Sequence, residues 1–324
     1  MKKLEILIPQ YSENEEIIKP LLDSIEIQQR INLKEDIGVI IVNDGSSTIL
    51  HNSLFEKYSF PIKYYLDKHR GVSGTRNACF DRATADYIMF CDADDMFYNP
   101  YGICLIFEEI ERKEFDVLVS KFIEENIDDK IGRFFVPHDY DQTFVHGKVY
   151  RRQYLIDKNI RWQEELTVHE DYFFNSLAQK LTKKVRLLET PIYVWRHRPD
   201  SICRRDEDYM IKTYKNVVAS AEKLVQEYLS RKREEDAIYT AVKTSYDVYF
   251  TLTSKNWQRD FCYSYKEELK QKFKIFWNNF NELYYKMNKN DRNDIFIAIK
   301  KDVILERQFL EAEPFEEWLQ KYII

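Results

Sequence analysis

Glycine and proline are unevenly spread along this chain. All seven glycines lie at or before Gly147, and of the eight prolines only Pro314 lies beyond Pro199. Both residues punctuate turns, so a long stretch without them has few places to reverse except at helix ends. From about Asp206 onward the same stretch carries apolar residues at helical spacing. Tyr214, Val217, Val218, Ala221, Leu224, Val225 and Tyr228 recur at three and four, as do Ile238, Ala241, Val242, Val248, Tyr249 and Leu252. Two units are therefore predicted, residues 1–205 and an all-helical 206–324, and 324 residues is long enough for both.

The first unit alternates. Leu4 to Ile8 reads as a buried strand ended by Pro9, and Ile17, Ile18, Leu21, Leu22 and Ile25 mark one face of a helix. Val39 to Val42 is a second strand, stopped by the turn residues Asn43-Asp44-Gly45-Ser46-Ser47. Ile62 to Leu66 fits a third strand, Ser73 to Ala83 a helix, and Tyr87 to Cys91 a fourth strand. Asn99-Pro100 then caps a helix carrying Ile103, Phe107 and Ile110. Strand and helix in alternation predict an open, mostly parallel α/β sheet, in which ligands bind beyond the carboxyl ends of the strands. Three polar clusters fall there: Pro9 to Glu13, Asn43 to Ser47 and Asp92 to Asp95.

Bulk composition narrows the function. With 44% hydrophobic and 15% aromatic residues the chain is globular, and a formal charge of -6 with no basic half disfavours broad nucleic-acid binding. Five widely spaced cysteines without a paired CxxC read as buried free thiols in a reducing compartment. The apolar run Leu4 to Pro9 is too short for a signal peptide, and no stretch is long enough for a spanning helix. A cytoplasmic chain is expected, with peripheral membrane contact left open.

In Cys91-Asp92-Ala93-Asp94-Asp95 three carboxylates fall within four residues. Asp92 and Asp94 point to one side if the backbone stays extended, and a hard divalent cation, Mn²⁺ or Mg²⁺, would relieve their repulsion. The alternative is structural: Asp95 caps the next helix and the others form a solvated turn.

At this point the residues resemble the family 2 glycosyltransferases, with the GT-A nucleotide-sugar fold. The resemblance runs through Ile8-Pro9-Gln10-Tyr11-Ser12-Glu13-Asn14-Glu15, Val42 to Ser47, Gly71-Val72-Ser73-Gly74-Thr75-Arg76-Asn77 and Asp86 to Asp95. Ser12 stands where the family usually has Asn, and Thr75 where it has Ala. Further on, His146 to Arg152, His169 to Phe174 and Tyr193 to Ile202 are similar to the acceptor-side half of bacterial members that decorate teichoic acids, capsules and lipopolysaccharide. The helical remainder matches no named module.

The resemblance implies roles. Pro9, Tyr11 and Asp44 would hold a uracil; Glu13 and Asp92 would reach the ribose, with Ala93 and Arg76 beside the nucleotide; Asp94 would bind the metal, and His197 would complete its shell. Asp171, early in a helix whose apolar face is Phe174, Leu177, Ala178 and Leu181, would be the catalytic base, with Glu170 orienting acceptor or sugar. Without the family, Glu170 and Asp171 read equally well as carboxylates complementing a helix N-terminus. Arg196, Arg198 and Ser201 would close over the diphosphate.

The implied activity is metal-dependent, inverting transfer of a hexose or N-acetylhexosamine from a UDP-sugar to a glycan, polyol-phosphate or lipid-linked acceptor. The helical domain would serve acceptor binding, oligomerisation or membrane association. Two rival readings keep the fold: a catalytically silent glycan-binding protein, and an enzyme that glycosylates a modified base in DNA, as some phage enzymes do.

Overall fold

The computed structural model describes residues 2–141, 143–199, 201, 208–259, 262–307 and 313–324. It divides into two compact units, Met1–Ser201 and Ile202–Ile324. Asp200, Ile202, Cys203 and the expected boundary at Arg205 and Asp206 lie outside the described residues.

The first unit is built on β1 (Leu4–Gln10), β2 (Ile37–Asp44), β3 (Ile62–Asp67), β4 (Tyr87–Phe90), β5 (Met96–Phe97), β6 (Val117–Asp128), β7 (Gly132–His138), β8 (Lys148–Arg151) and β9 (Val185–Trp195). They form one sheet in the order β3-β2-β1-β4-β8-β6-β9-β5, with β7 on β6. From β3 to β4 every pairing is parallel. β8 then enters antiparallel between β4 and β6, while β9 runs parallel to β6 and antiparallel to β5. The parallel half is what the alternating pattern predicts, and segments after residue 95 add a mixed half to it.

On one face Leu4, Ile6 and Ile8 of β1 and Val39 and Ile41 of β2 join Ile18, Leu21 and Ile25 of the helix Glu15–Glu26 in a fully buried core. Each such side chain contributes about 1.5–3 kcal/mol by leaving water. That helix starts where it does because the Asn14 side chain accepts the Ile17 N–H (3.1 Å) and Glu15 and Glu16 complement its first turn. The helix Gly71–Arg82 covers the other face, against β1 and β2.

Two local expectations differ from the structure. β1 continues through Pro9, paired with Val42, to Gln10. Proline is tolerated there because the β4 ladder stops at Phe90 opposite Leu7, so no neighbour on that side needs its missing N–H. Asn99 accepts the Tyr101 N–H (2.8 Å) in a turn that precedes the helix Gly102–Arg112, and so shapes its approach instead of capping it.

The second unit is helical, with Glu234–Thr253 its most buried element, packed by Lys215–Ser230, Tyr263–Lys286 and Lys289–Arg307. Tyr214, Tyr228, Tyr246, Tyr249 and Tyr284 are core: the Tyr246 and Tyr284 hydroxyls meet at 2.9 Å, and the Tyr246 and Phe315 rings at 4.9 Å. Among the described residues no helix is long and apolar enough to cross a membrane. Cys79, Cys91, Cys104 and Cys262 are buried free thiols.

Candidate active site

The ends of β1, β2 and β4 deliver the three polar clusters to one edge of the sheet. At the β2 end Gly45 adopts φ +72°, which turns the chain so that Asp44 faces the loop before the helix Gly71–Arg82. Asp44 Oδ1 accepts the Arg70 N–H (2.7 Å) and Oδ2 the Gly71 N–H (2.9 Å), with His69 Nδ1 2.9 Å away. Tyr11, half exposed, sets its ring 5.2 Å from that of His69. Two aromatic faces above a carboxylate make a notch suited to a flat base carrying an imide donor. Glu13 accepts the Tyr11 N–H (2.8 Å) through Oε2, which fixes the turn, and half-buried Pro9 leads into it.

The acidic run divides its work. Asp95 is almost wholly buried; it accepts the Tyr193 hydroxyl (2.6 Å) and the Arg196 N–H (2.9 Å), tying the run to β9. Burial, and then Asp94 and Asp92, hold its carboxyl well above the usual range. Ala93 packs in the core. Asp94 faces out and pairs with Arg198 Nη1 (3.1 Å), which also meets Glu13 Oε1 (3.3 Å), while Arg196 Nη1 binds the Asp94 carbonyl (3.1 Å). Burial and the charge of Asp92 push the Asp94 carboxyl up, against the pull of Arg198. Ser201 donates its backbone N–H to the Arg198 carbonyl (3.1 Å).

Arg76 connects this wall to the opposite one. Its guanidinium is 3% exposed, lies 4.5 Å over the Trp162 ring, and reaches Asp92 Oδ1 (2.9 Å), Glu170 Oε1 (3.1 Å) and Asp171 Oδ1 (2.6 Å). Glu170 and Asp171 open the helix Glu170–Lys180, which His169 enters at φ +62°, a left-handed turn that aims both carboxylates into the cleft. Asp171 Oδ2 accepts the Val145 N–H at 3.3 Å. Burial is the main reason its pKa is pushed up to about 7, with Arg76 opposing and Glu170 and Asp92 adding to the rise.

Donor atoms of Asp92, Asp95 and His146 all lie within 4.8 Å of one another. His146 Nε2 is 4.0 Å from Asp92 Oδ2 and 3.8 Å from Asp95 Oδ2. Its ring stacks between Phe144 (5.4 Å) and Tyr193 (5.0 Å), and burial pushes its pKa down to about 3, leaving a neutral imidazole. Two carboxylates and one neutral imidazole are a donor set that fits Mn²⁺ better than Mg²⁺, which prefers oxygen and water. Neither Asp94 nor His197 belongs to this group; the His197 N–H donates to Glu125 Oε2 (3.0 Å).

Thus Tyr11, Glu13, Asp44, Arg76, Asp92, Asp94, Glu170, Asp171 and Arg198 converge. Reasoning from the sequence assigned no role to His69 or His146. His146 sat inside a recognised segment, but a histidine alone gives no sign of which strand it will face, and the signal for His69 was only its place between a strand and a glycine-led helix.

The model of the family described as Glycosyl transferase family 2 matches residues 5–183. Among curated proteins the chain is 26% identical over 225 residues to the uncharacterized glycosyltransferase EpsJ of Bacillus subtilis, covering 61% of this chain and 62% of EpsJ. It is 24% identical over 227 residues to the poly(ribitol-phosphate) beta-N-acetylglucosaminyltransferase TarS of Staphylococcus aureus, covering 66% of this chain and 38% of TarS. The chain so spans less than two thirds of the length of either relative. The crystal structure of TarS 1-349 in complex with UDP-GlcNAc superposes with a TM-score of 0.63 at 20% identity, over 85% of this chain and 80% of that one, a likeness in fold.

Proposed function

This chain belongs to glycosyl transferase family 2, and on that premise we propose that it transfers a sugar from a UDP-sugar to a hydroxyl of a polyol-phosphate or glycan acceptor, with inversion. The observation that carries the reading is Arg76, whose buried guanidinium joins Asp92 on the donor wall to Asp171 on the acceptor wall in one ion cluster. UDP-GlcNAc is the proposed donor because TarS, whose fold this chain shares, binds it. Its relative's poly(ribitol-phosphate) suggests the acceptor class.

Uracil would lie in the notch of Tyr11 and His69, with Asp44 accepting its imide N–H and Glu13 and Asp92 facing the ribose. Arg198 and Arg196 would move from Asp94 to the diphosphate, and Asp92, Asp95 and His146 would hold a divalent cation, with the freed Asp94 carboxylate in the same acidic run. Bound there, such a cation would supply positive charge to the diphosphate as it leaves. Asp171 accepts the acceptor hydroxyl's proton while that oxygen bonds to the anomeric carbon and the bond from that carbon to the UDP oxygen breaks. A carboxylate pushed up to about 7 suits a base working near neutral pH. Arg76 keeps Asp171 ionised and directed, and Glu170 shares its charge.

A panel of nucleotide sugars, with and without Mn²⁺, read by thermal shift and by transfer to poly(ribitol-phosphate), tests this. Selective stabilisation by UDP-sugars, at about 2.7 kcal/mol when ligand is a hundredfold above its Kd, together with glycosylated product, is expected. No shift and no product with any UDP-sugar overturns it.

A further inference from the structure

The segment between β7 and β8 is held in an unusual way. Three consecutive residues of it, Thr143, Phe144 and Val145, are bonded through their backbones to two side chains one turn apart on the helix Glu170–Lys180. Asn175 Nδ2 donates to the Thr143 carbonyl (2.7 Å) and the Phe144 carbonyl (3.0 Å), and Asp171 Oδ2 accepts the Val145 N–H (3.3 Å). Residues four apart share a helix face, so the segment lies along that face as a short strip. Tyr150, wholly buried on β8, fixes the amide of Asn175 by donating its hydroxyl to Oδ1.

Behind the strip stands Lys148, at the start of β8, with no side-chain exposure at all. Its ammonium donates to the Phe144 carbonyl and lies 3.3 Å from Asp141 Oδ2. Asp141 Oδ1 in turn accepts the N–H groups of Thr143 and Phe144, both at 2.7 Å. Removing an ammonium from water costs several kcal/mol, and a methionine would fill the same space without that cost. Packing therefore gives no reason for a lysine here. Its position gives one: the ammonium bonds the Phe144 carbonyl of the strip and Asp141, the carboxylate that holds the strip's Thr143 and Phe144 N–H groups, and the strip presents the Val145 N–H to Asp171.

We propose that Lys148 and Asn175 are positioning residues for Asp171, clamping residues 143–145 so that the Val145 N–H holds one carboxylate oxygen while Arg76 holds the other. With both oxygens tied, the carboxylate has one orientation in the cleft. Without the strip only Oδ1 is held, by Arg76, and the carboxylate turns about its last torsion. The charged and titratable groups around Asp171 are Arg76, Asp92, Glu170, Lys148 and Tyr150, and the clamp alters none of the first three. Among the described residues, Tyr11, Asp44 and Asp92 of the donor wall make no hydrogen bond to the strip.

This rests on the base role proposed above, and the test separates the two. Lys148→Met, Asn175→Leu and the milder Tyr150→Phe are compared with wild type in two measurements: amide hydrogen exchange of residues 143–145, and steady-state transfer from UDP-GlcNAc. Faster exchange of those amides is expected, with kcat lowered roughly 10- to 100-fold by the lost orientation and KM for the donor within about twofold. Because Lys148 and Asn175 act through one strip, the double variant should be no slower than the slower single variant. Unchanged kcat in a folded Lys148→Met protein, or amides as protected as in wild type, overturns the clamp. So does a fall in donor affinity parallel to kcat, which would mark general damage. If wild type transfers no sugar, the base reading fails, and the exchange data still decide whether the clamp exists.

Discussion

Arg76 Nη1 and Asp171 Oδ1 lie 2.6 Å apart although 95 residues separate them in the chain. One contact thus joins a helix packed on the parallel half of the sheet to a helix that lies between β8 and β9 of the mixed half. The same guanidinium holds Asp92, so donor and acceptor walls share a charge.

Removing that charge should unfold more than it disables. Arg76→Ala leaves Asp92, Glu170 and Asp171 without their common cation in a buried setting, and breaking a buried pair from one side costs about 3–5 kcal/mol. The denaturant midpoint should fall accordingly. Arg76→Lys should recover little, since one ammonium cannot meet three carboxylates with a planar fork. A wild-type midpoint in Arg76→Ala would show that the cluster is a minor contributor.

Asp171→Asn keeps the shape but offers one oxygen where Arg76 and Val145 each donate to a different one, so it retains only one of those bonds, and it takes away the proton acceptor. Transfer should drop roughly 100- to 10,000-fold, while UDP affinity by calorimetry stays as in wild type. Near-normal turnover by this variant would remove Asp171 from the base role.

The pH dependence follows from the environment of Asp171. Its pKa is raised by burial to about 7, so the base is lost by protonation as pH falls through that value. The plot of log kcat/KM against pH should rise with unit slope below about pH 7 and level off above it. A rate flat down to pH 5 would mean that a different group accepts the proton.

Gly45 is where the donor pocket depends on the absence of a side chain. At φ +72° an added Cβ would sit 2.5 Å from the His69 backbone nitrogen, so Gly45→Ala must displace the loop that Asp44 holds. We expect a stability loss of roughly 1–3 kcal/mol and weaker UDP binding, whereas Gly71→Ala, which meets nothing within 4 Å, should keep UDP affinity despite its positive φ. Equal UDP affinity in Gly45→Ala and wild type would contradict a base pocket there.

Much of the fold could be read without coordinates because it is encoded locally. The apolar run Leu4 to Ile8, the turn Asn43-Asp44-Gly45 and helical spacing after Asp206 each depend on neighbours in sequence, so local pattern and turn chemistry suffice. Converging clusters at strand ends follow from the same logic, since parallel strands share one carboxyl edge.

What the tertiary structure alone decided is who partners whom. From the sequence Asp95 is one of three clustered carboxylates or a helix cap, and His146 a letter in a motif; the tertiary fold gives Asp95 the Tyr193 hydroxyl of β9, and the turn into β8 places His146 beside Asp92. Lys148 reads as an ordinary charged residue until β8 is seen to be central, with its ammonium sealed behind the segment that touches Asp171. The physical reason is range. Backbone propensity and amphipathic spacing act over a few residues, while burial, and with it every shifted pKa and buried ion pair, depends on chain segments brought together across the sheet.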